Sequence, residues 1–406
     1  MSFRRLVPLL TLTVLAGCSA ESHGPRLKQG ESQSEVQPAL AVGDEECAIF
    51  AQSLVKAVKE QDAAQLAKLM DWNALLGTAS RNITAPDKTR LRFVADMKGD
   101  AKKPGLLPRQ FLDLISRGGE YKFLRRHAVG NQARLVFRLA LPDGAGLNYH
   151  DVVLDRAGDG GLKGADVYIF TNGELLSQTA RRAFLTTVLR QEQVPVARLE
   201  GVEREFQLHF TKVELMNDFE RAGQYQQVLK LYDQLPTELQ RDKNVMLIRL
   251  RAAQNLGGAE YSEAIENLRT FHPDDPSIDL FSITYFLNKK DAPKALEMID
   301  RVDSAVGSDP YLNVLRSDVY LAVNNASAAR EAAHTALEED PTLLEAQWAL
   351  IAVSLREKNF DETLELLRDI ERRFAPRFPD MKALPIYAEF IKSSQYQEWL
   401  KSRKSP

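Results

Sequence analysis

The sequence predicts an α+β domain followed by an all-α stack of helical hairpins, and two patterns carry that expectation. Between Tyr121 and Gly173, apolar and polar residues alternate in runs that end in Gly, Asn or Asp, the mark of an antiparallel meander. Beyond Tyr225, apolar triplets at helical four-and-three spacing recur every 31 to 36 residues, the mark of repeated helical hairpins. The 406 residues are 44% hydrophobic and 27% charged, an ordinary globular balance with room for two or three domains.

The chain opens with Arg4 and Arg5, then an apolar run from Leu6 to Leu15 interrupted by Pro8, Thr11 and Thr13. A basic start, a short apolar core and small residues behind it make a secretory signal. The core is about half the ~20 residues that a membrane-spanning helix needs. Leu15, Ala16, Gly17 and Cys18 resemble the bacterial lipobox. The resemblance implies that residues 1–17 are a lipoprotein signal peptide and that Cys18 carries lipid. Each buried methylene of the acyl chains would contribute about 0.8 kcal/mol to the anchorage. Ser19, where Asp would hold such a protein at the inner membrane, implies the outer membrane if the host is Gram-negative; a periplasm-facing placement there is the expectation, though Ser19 does not set the facing direction. Residues 18–43 are rich in Ser, Gln, Glu, Gly and Pro without an apolar period, and are expected to form a flexible tether.

Residues 44–194 form the expected α+β domain. Ile49, Leu54 and Val58, then Leu66 and Leu69, mark two helices, the second capped by Asp62. Cys47 lies on the first helix and is read as a small core hydrophobe, since a lipidated Cys18 leaves it without an intramolecular disulfide partner. Two short helices follow, at "TAPDKTRLRFVADM" and "LPRQFLDLISRGG". Four strands are then expected at "YKFLRRHAVG", "ARLVFRLALPDG", "LNYHDVVLDRAGDGG" and "KGADVYIFTNG", before a helix over "ELLSQTARRAFLTTVLRQ". This order resembles the nuclear-transport-factor-2-like and cystatin-like folds, which implies a bent sheet wrapped around a long helix. On that likeness Tyr149, Asp151, Asp166 and Tyr168 line a pocket, with core or rim packing as the competing role. A cut near residue 194 is expected to leave both halves folded.

In residues 195–378 the triplets are Val228, Tyr232 and Leu235; Ala264, Leu268 and Phe271; Ala295, Ile299 and Val302; Ala329, Ala333 and Ala336; and Thr363, Leu367 and Ile370. Tyr225, Tyr261, Ala292, Ala326 and Phe360 stand three residues ahead of them, at the expected helix turns. Tyr320 and Asp340-Pro341 complete the best copy. The pattern resembles the tetratricopeptide repeat, of period 34. It implies about five hairpins stacked as a superhelical solenoid whose triplets pack neighbouring helices and whose concave face takes a protein or peptide. No copy has the early Trp-Leu-Gly set, and "NLGGAEYSEA" disturbs the period. Residues 379–406 are expected to close the stack with one more polar helix and a tail.

Motifs for chemistry are sparse. Ser53 and Lys56 have Ser-x-x-Lys spacing without the companion signatures of penicillin-binding proteins. Asp155, Asp159, Gly160 and Asp166 fit part of a calcium loop, but Ala157 replaces a ligand and strands flank it. The six histidines lie in separate elements, and His150 and Asp151, adjacent on a strand, point to opposite faces. No catalytic residue, metal site or cofactor is assigned. The net charge of −3 argues against nucleic acid as a partner. The expected role is a membrane-anchored adaptor or scaffold whose repeats bind a protein or peptide; a purely structural role, with the solenoid forming homo-oligomers, is a competing reading. The alternative is a ligand-binding or enzymatic cone: convergent polar groups in a deep pocket would favour it, and a filling of Phe and Leu would argue against it.

Overall fold

The computed structural model describes residues 42–404 apart from 84, 99–110, 114, 142–145, 192–198, 375–377 and 379. Cys18, the signal segment and most of the tether lie outside the described residues. The chain has an α+β region followed by an all-α run of helices. It divides into two compact units, one ending at Ile278 and the other beginning at Asp279. The sheet and the first helical hairpins share the former unit, so compactness continues past residue 194.

Helix α1 (Asp44–Lys59) starts with three acidic residues and ends with Lys56 and Lys59, each charge opposing the helix dipole at its end. It buries Cys47, Phe50, Ala51, Leu54, Ala57 and Val58. Gln61 then takes a left-handed conformation (φ 55°). Asp62 caps α2 (Ala63–Leu69) by accepting from the Gln65 amide at 2.9 Å. Asp71 caps α3 (Trp72–Ala79) in the same way, and α4 spans Asp87–Lys98.

The sheet is a meander in chain order: β1 (Glu120–Val129), β2 (Gln132–Ala140), β3 (Leu147–Arg156), β4 (Leu162–Ile169) and β5 (Glu174–Leu175). The two-residue β5 is a fifth strand beyond the expected four. It occupies the start of the segment read as helix, and α5 runs from Leu176 to Gln191. One face of the sheet carries Tyr121, Leu135, Phe137, Leu139, Val152 and Leu154, which pack with Phe50 and Leu54 of α1. Ile169 continues this face toward α3 and α5, where Trp72, Leu75, Ala180 and Phe184 form a second cluster. Gly164 lets the loop between α2 and α3 approach β4: a Cβ there would lie 2.7 Å from the Met70 sulfur.

After α6 (Gly201–Leu208) come five hairpins among the described residues. They are α7 (Phe210–Arg221) with α8 (Tyr225–Tyr232), α10 (Lys243–Leu256) with α11 (Gly258–Phe271), and α12 (Pro276–Asn288) with α13 (Ala292–Val306). Then come α14 (Pro310–Ala322) with α15 (Ala326–Glu339), and α16 (Leu344–Arg356) with α17 (Phe360–Phe374); the one-turn α9 (Thr237–Gln240) separates the first two pairs. Four hairpins share one turn geometry. Its central residue is left-handed (Gly223, Lys290, Asn324 and Lys358), and the last three of these are 34 residues apart. The next residue donates its amide to the carbonyl five positions back, at 2.8–2.9 Å. In the last three it also caps the second helix through Asp291, Asn325 or Asn359. Gly257 and Gly258 (φ 74° and 67°) make the α10–α11 turn instead. Glycine at both positions allows a shorter connection, so α11 begins at Gly258, three residues ahead of the expected Tyr261.

The final segment differs from the single helix expected. Three 3₁₀ turns, Met381–Ala383, Pro385–Tyr387 and Phe390–Lys392, precede α18 (Ser394–Lys404). Pro385 has no amide hydrogen to donate to a continuing helix. The segment does cover the last hairpin: Met381, Tyr387, Phe390, Tyr396 and Trp399 pack on Ile351, Leu355, Leu367 and Ile370.

Candidate functional site

Residues directly opposite each other on paired strands share a face of the sheet. Tyr121 faces Leu139 and Leu139 faces Asn148; Phe137 faces His150, which in turn faces Ile169. These residues therefore belong to the face that α1 covers. Its filling is mainly Phe50, Leu54, Leu135, Phe137 and Leu139.

One polar line crosses this interior. The Asn148 side-chain oxygen accepts the Tyr149 and Thr171 amides at 2.8 and 3.0 Å, which fixes the orientation of its amide group. The Asn148 nitrogen then points at His150 Nε2, 3.3 Å away, so Nε2 accepts and Nδ1 carries the hydrogen. Nδ1 lies 3.3 Å from the Tyr121 hydroxyl and donates to it. Burial lowers the His150 pKa to about 4, so the ring is neutral at pH 7. The ring of Phe111 lies against both Tyr121 and His150.

The four residues expected to line a pocket pair across the opposite face. Tyr149 faces Arg138, Asp151 faces Val136 and Tyr168, and Asp166 faces Val153. Tyr149 is wholly buried, with Phe170 at its edge. Asp151 is held by His127 Nε2 at 2.9 Å and by the Arg134 guanidinium of the neighbouring strand at 3.1 Å, and so balances a cation. Asp166 accepts the Ser177 amide at the start of α5, and burial raises its pKa. Tyr168 reaches the hairpins: its hydroxyl donates to Asp275 at 2.7 Å, and Lys243 meets the same carboxylate at 2.6 Å. Burial would raise the Asp275 pKa, but Lys243 and the hydroxyl donors outweigh it and hold the value below the usual range. The interior polar residues were instead those of the other parity, Asn148 and His150. The alternation of Leu135, Phe137 and Leu139, carried across the strand pairing, was the signal for them.

Fourteen of the fifteen triplet residues are buried: Val228, Tyr232, Leu235, Ala264, Leu268, Ala295, Ile299, Val302, Ala329, Ala333, Ala336, Thr363, Leu367 and Ile370. Phe271 departs from the set. It ends α11 and is 41% exposed, with the Arg241 guanidinium 5.2 Å from its ring centre. The packing role expected of Phe271 is thus corrected, because the early start at Gly258 ends α11 there. Thr363 is buried through a 2.8 Å hydroxyl contact with Ser354 on the partner helix of its hairpin.

Charged side chains tie successive hairpins together. Arg316 of α14 reaches Asp300 and Asp303 of α13 at 2.8 and 2.9 Å. Arg330 of α15 meets Glu357 and Glu362 at 2.5 Å, and Arg356 of α16 donates to the turn residue Asn324 at 2.6 Å. The first helices α14 and α16 also pack side by side. Among the described residues no group of three metal-ligating side chains comes together. No protein-family model and no curated protein matches the chain.

Proposed function

We propose that the chain is a lipid-anchored protein of the bacterial envelope that holds partner proteins against its helical hairpins. The supporting observation is the hairpin run itself, whose left-handed turn residues Lys290, Asn324 and Lys358 keep a 34-residue register. A stack in regular register presents a continuous surface made by successive first helices, and such surfaces suit extended polypeptide segments. Anchoring rests on the lipobox-like residues 15–18 ahead of a polar tether. No helix among the described residues is long and apolar enough to cross a membrane. The tetratricopeptide resemblance, the outer-membrane location and the identity of the partner as a protein segment belong to this reading.

Ala329 tests it. Its side chain is wholly buried on α15, so Ala329→Arg overpacks the stack and buries an unpaired charge, a cost above the ~1–3 kcal/mol of overpacking alone. The expected outcome in the native host is loss of crosslinked partners, with limited proteolysis placing the damage in α14–α17 while the sheet stays protected. Partners retained by a variant whose hairpins have melted would move the binding role to the α+β region. Cys18→Ser is expected to release the protein from the membrane fraction, and persistence there would end the anchoring proposal.

A further inference from the structure

The spacing of α14 puts Tyr311, Val314, Asp318 and Leu321 on one stripe, and on the adjacent α16 the positions 34 residues after Val314 and Asp318 are Trp348 and Ala352. Asp318, Leu321, Trp348 and Ala352 are each partly exposed. Asp318 makes no hydrogen bond or ion pair with any described residue, which sets it apart among the acidic residues of its unit that are not exposed. Asp279 is held by Arg301, Asp303 by Arg316, Glu362 by Arg330 and Glu371 by Arg403. Asp291, Asp309 and Asp340 accept backbone amides. Arg316, two residues from Asp318, is engaged with Asn313, Asp300 and Asp303 and does not neutralise it.

We propose that Asp318 is the anchoring carboxylate of a docking surface along α14 and α16, and that its occupant is an extended partner segment presenting a lysine or arginine between apolar residues. Protein hems Asp318 in closely enough to raise its pKa to about 7, although the residue keeps part of its surface in solvent. A carboxylate so placed is destabilised as long as no cation stands beside it. An incoming ammonium or guanidinium supplies that cation. The methylene stem behind it finds Leu321, Ala352 and the indole of Trp348, which attracts cations as well as apolar groups. The charge gives selectivity and the apolar stripe gives contact area.

This inference rests on the scaffold reading, and its test separates the two. The full chain is applied to immobilised nonapeptides, capped at both ends, in matched sets whose central residue is Lys, Arg, Gln or Glu between Leu residues. Lys and Arg members are expected to bind about tenfold above their Gln counterparts, with Glu weakest. Asp318→Asn is expected to erase that preference, keep the weaker apolar binding, and melt at or above the wild-type temperature. Equal binding of Lys and Gln members, or an intact preference in Asp318→Asn, overturns the role of Asp318 and leaves the scaffold reading standing. No binding to any member overturns the docking surface, and the scaffold reading is then decided by the Ala329→Arg comparison.

Discussion

His150 is a base whose folded pKa lies below its unfolded value, and the sign of its effect on stability follows from that. The unfolded chain, with a histidine pKa near 6.5, takes up the proton first. Stability is therefore fully present above about pH 6.5 and is lost as pH falls toward 4, at up to ~1.4 kcal/mol per unit, or about 3 kcal/mol in all. His150→Gln keeps polar contacts to Tyr121 and Asn148 and removes the titration. Urea unfolding at stepped pH should show a flatter acid limb for that variant, and an unchanged limb would assign the sensitivity elsewhere. A second residue-scale case is Glu174 with Arg182, both 3% exposed and paired, with Thr179 donating to the same carboxylate at 2.5 Å. Arg182→Met leaves a buried carboxylate without its cation and is expected to cost roughly 3–5 kcal/mol, read as a shift in the urea midpoint.

Hairpin turns decide register at the scale of the element, and they explain what could be read from the sequence. The triplets stood out because second helices such as α15 and α17 bury one face and solvate the other. Helix α12 gave no such signal, since every residue from Ser277 to Leu287 except Leu280 is buried and no polar face remains to mark a period. In the α+β region the strands were legible by alternation. The face on which a pocket would lie required the pairing register, and Tyr149 and Asp151 were chosen with the wrong parity. The turn residues were hidden because Lys290 and Lys358 are ordinary surface lysines by type, yet both are left-handed (φ 58° and 59°). Lys290→Val should cost about 1–2 kcal/mol, because a β-branched side chain resists that conformation. Lys290→Gly should change stability by less than about 0.5 kcal/mol, since relief of strain is offset by a looser unfolded chain. Thermal melts of the two variants check the contrast, and equal destabilisation would mean that Lys290 acts through its side chain.

For the whole molecule, the question is where cooperative folding divides. The change near residue 194 from a closed pattern of strands and helices to helical repeats pointed to a boundary there, yet the compact unit runs on to Ile278, where the β4–β5 corner docks on the hairpins. Asp275 gathers the Tyr168 hydroxyl, the Lys243 ammonium and the Ser277 amide. Gly173 (φ 64°) lies so close that a Cβ would stand 3.1 Å from the Ser277 hydroxyl and 3.3 Å from Leu247. Gly173→Val therefore meets two penalties, a left-handed backbone and a collision, and should cost about 2–4 kcal/mol. Asp275→Ala strands a buried hydroxyl and an ammonium and should fall in the same range. If the sheet and first hairpins unfold as one, amide exchange should accelerate together in β2, β3 and α10 of both variants. Loss of protection in α10 alone, with the central strands unchanged, would return the division to the neighbourhood of residue 194 and leave the docked corner as a contact between two independently folded parts.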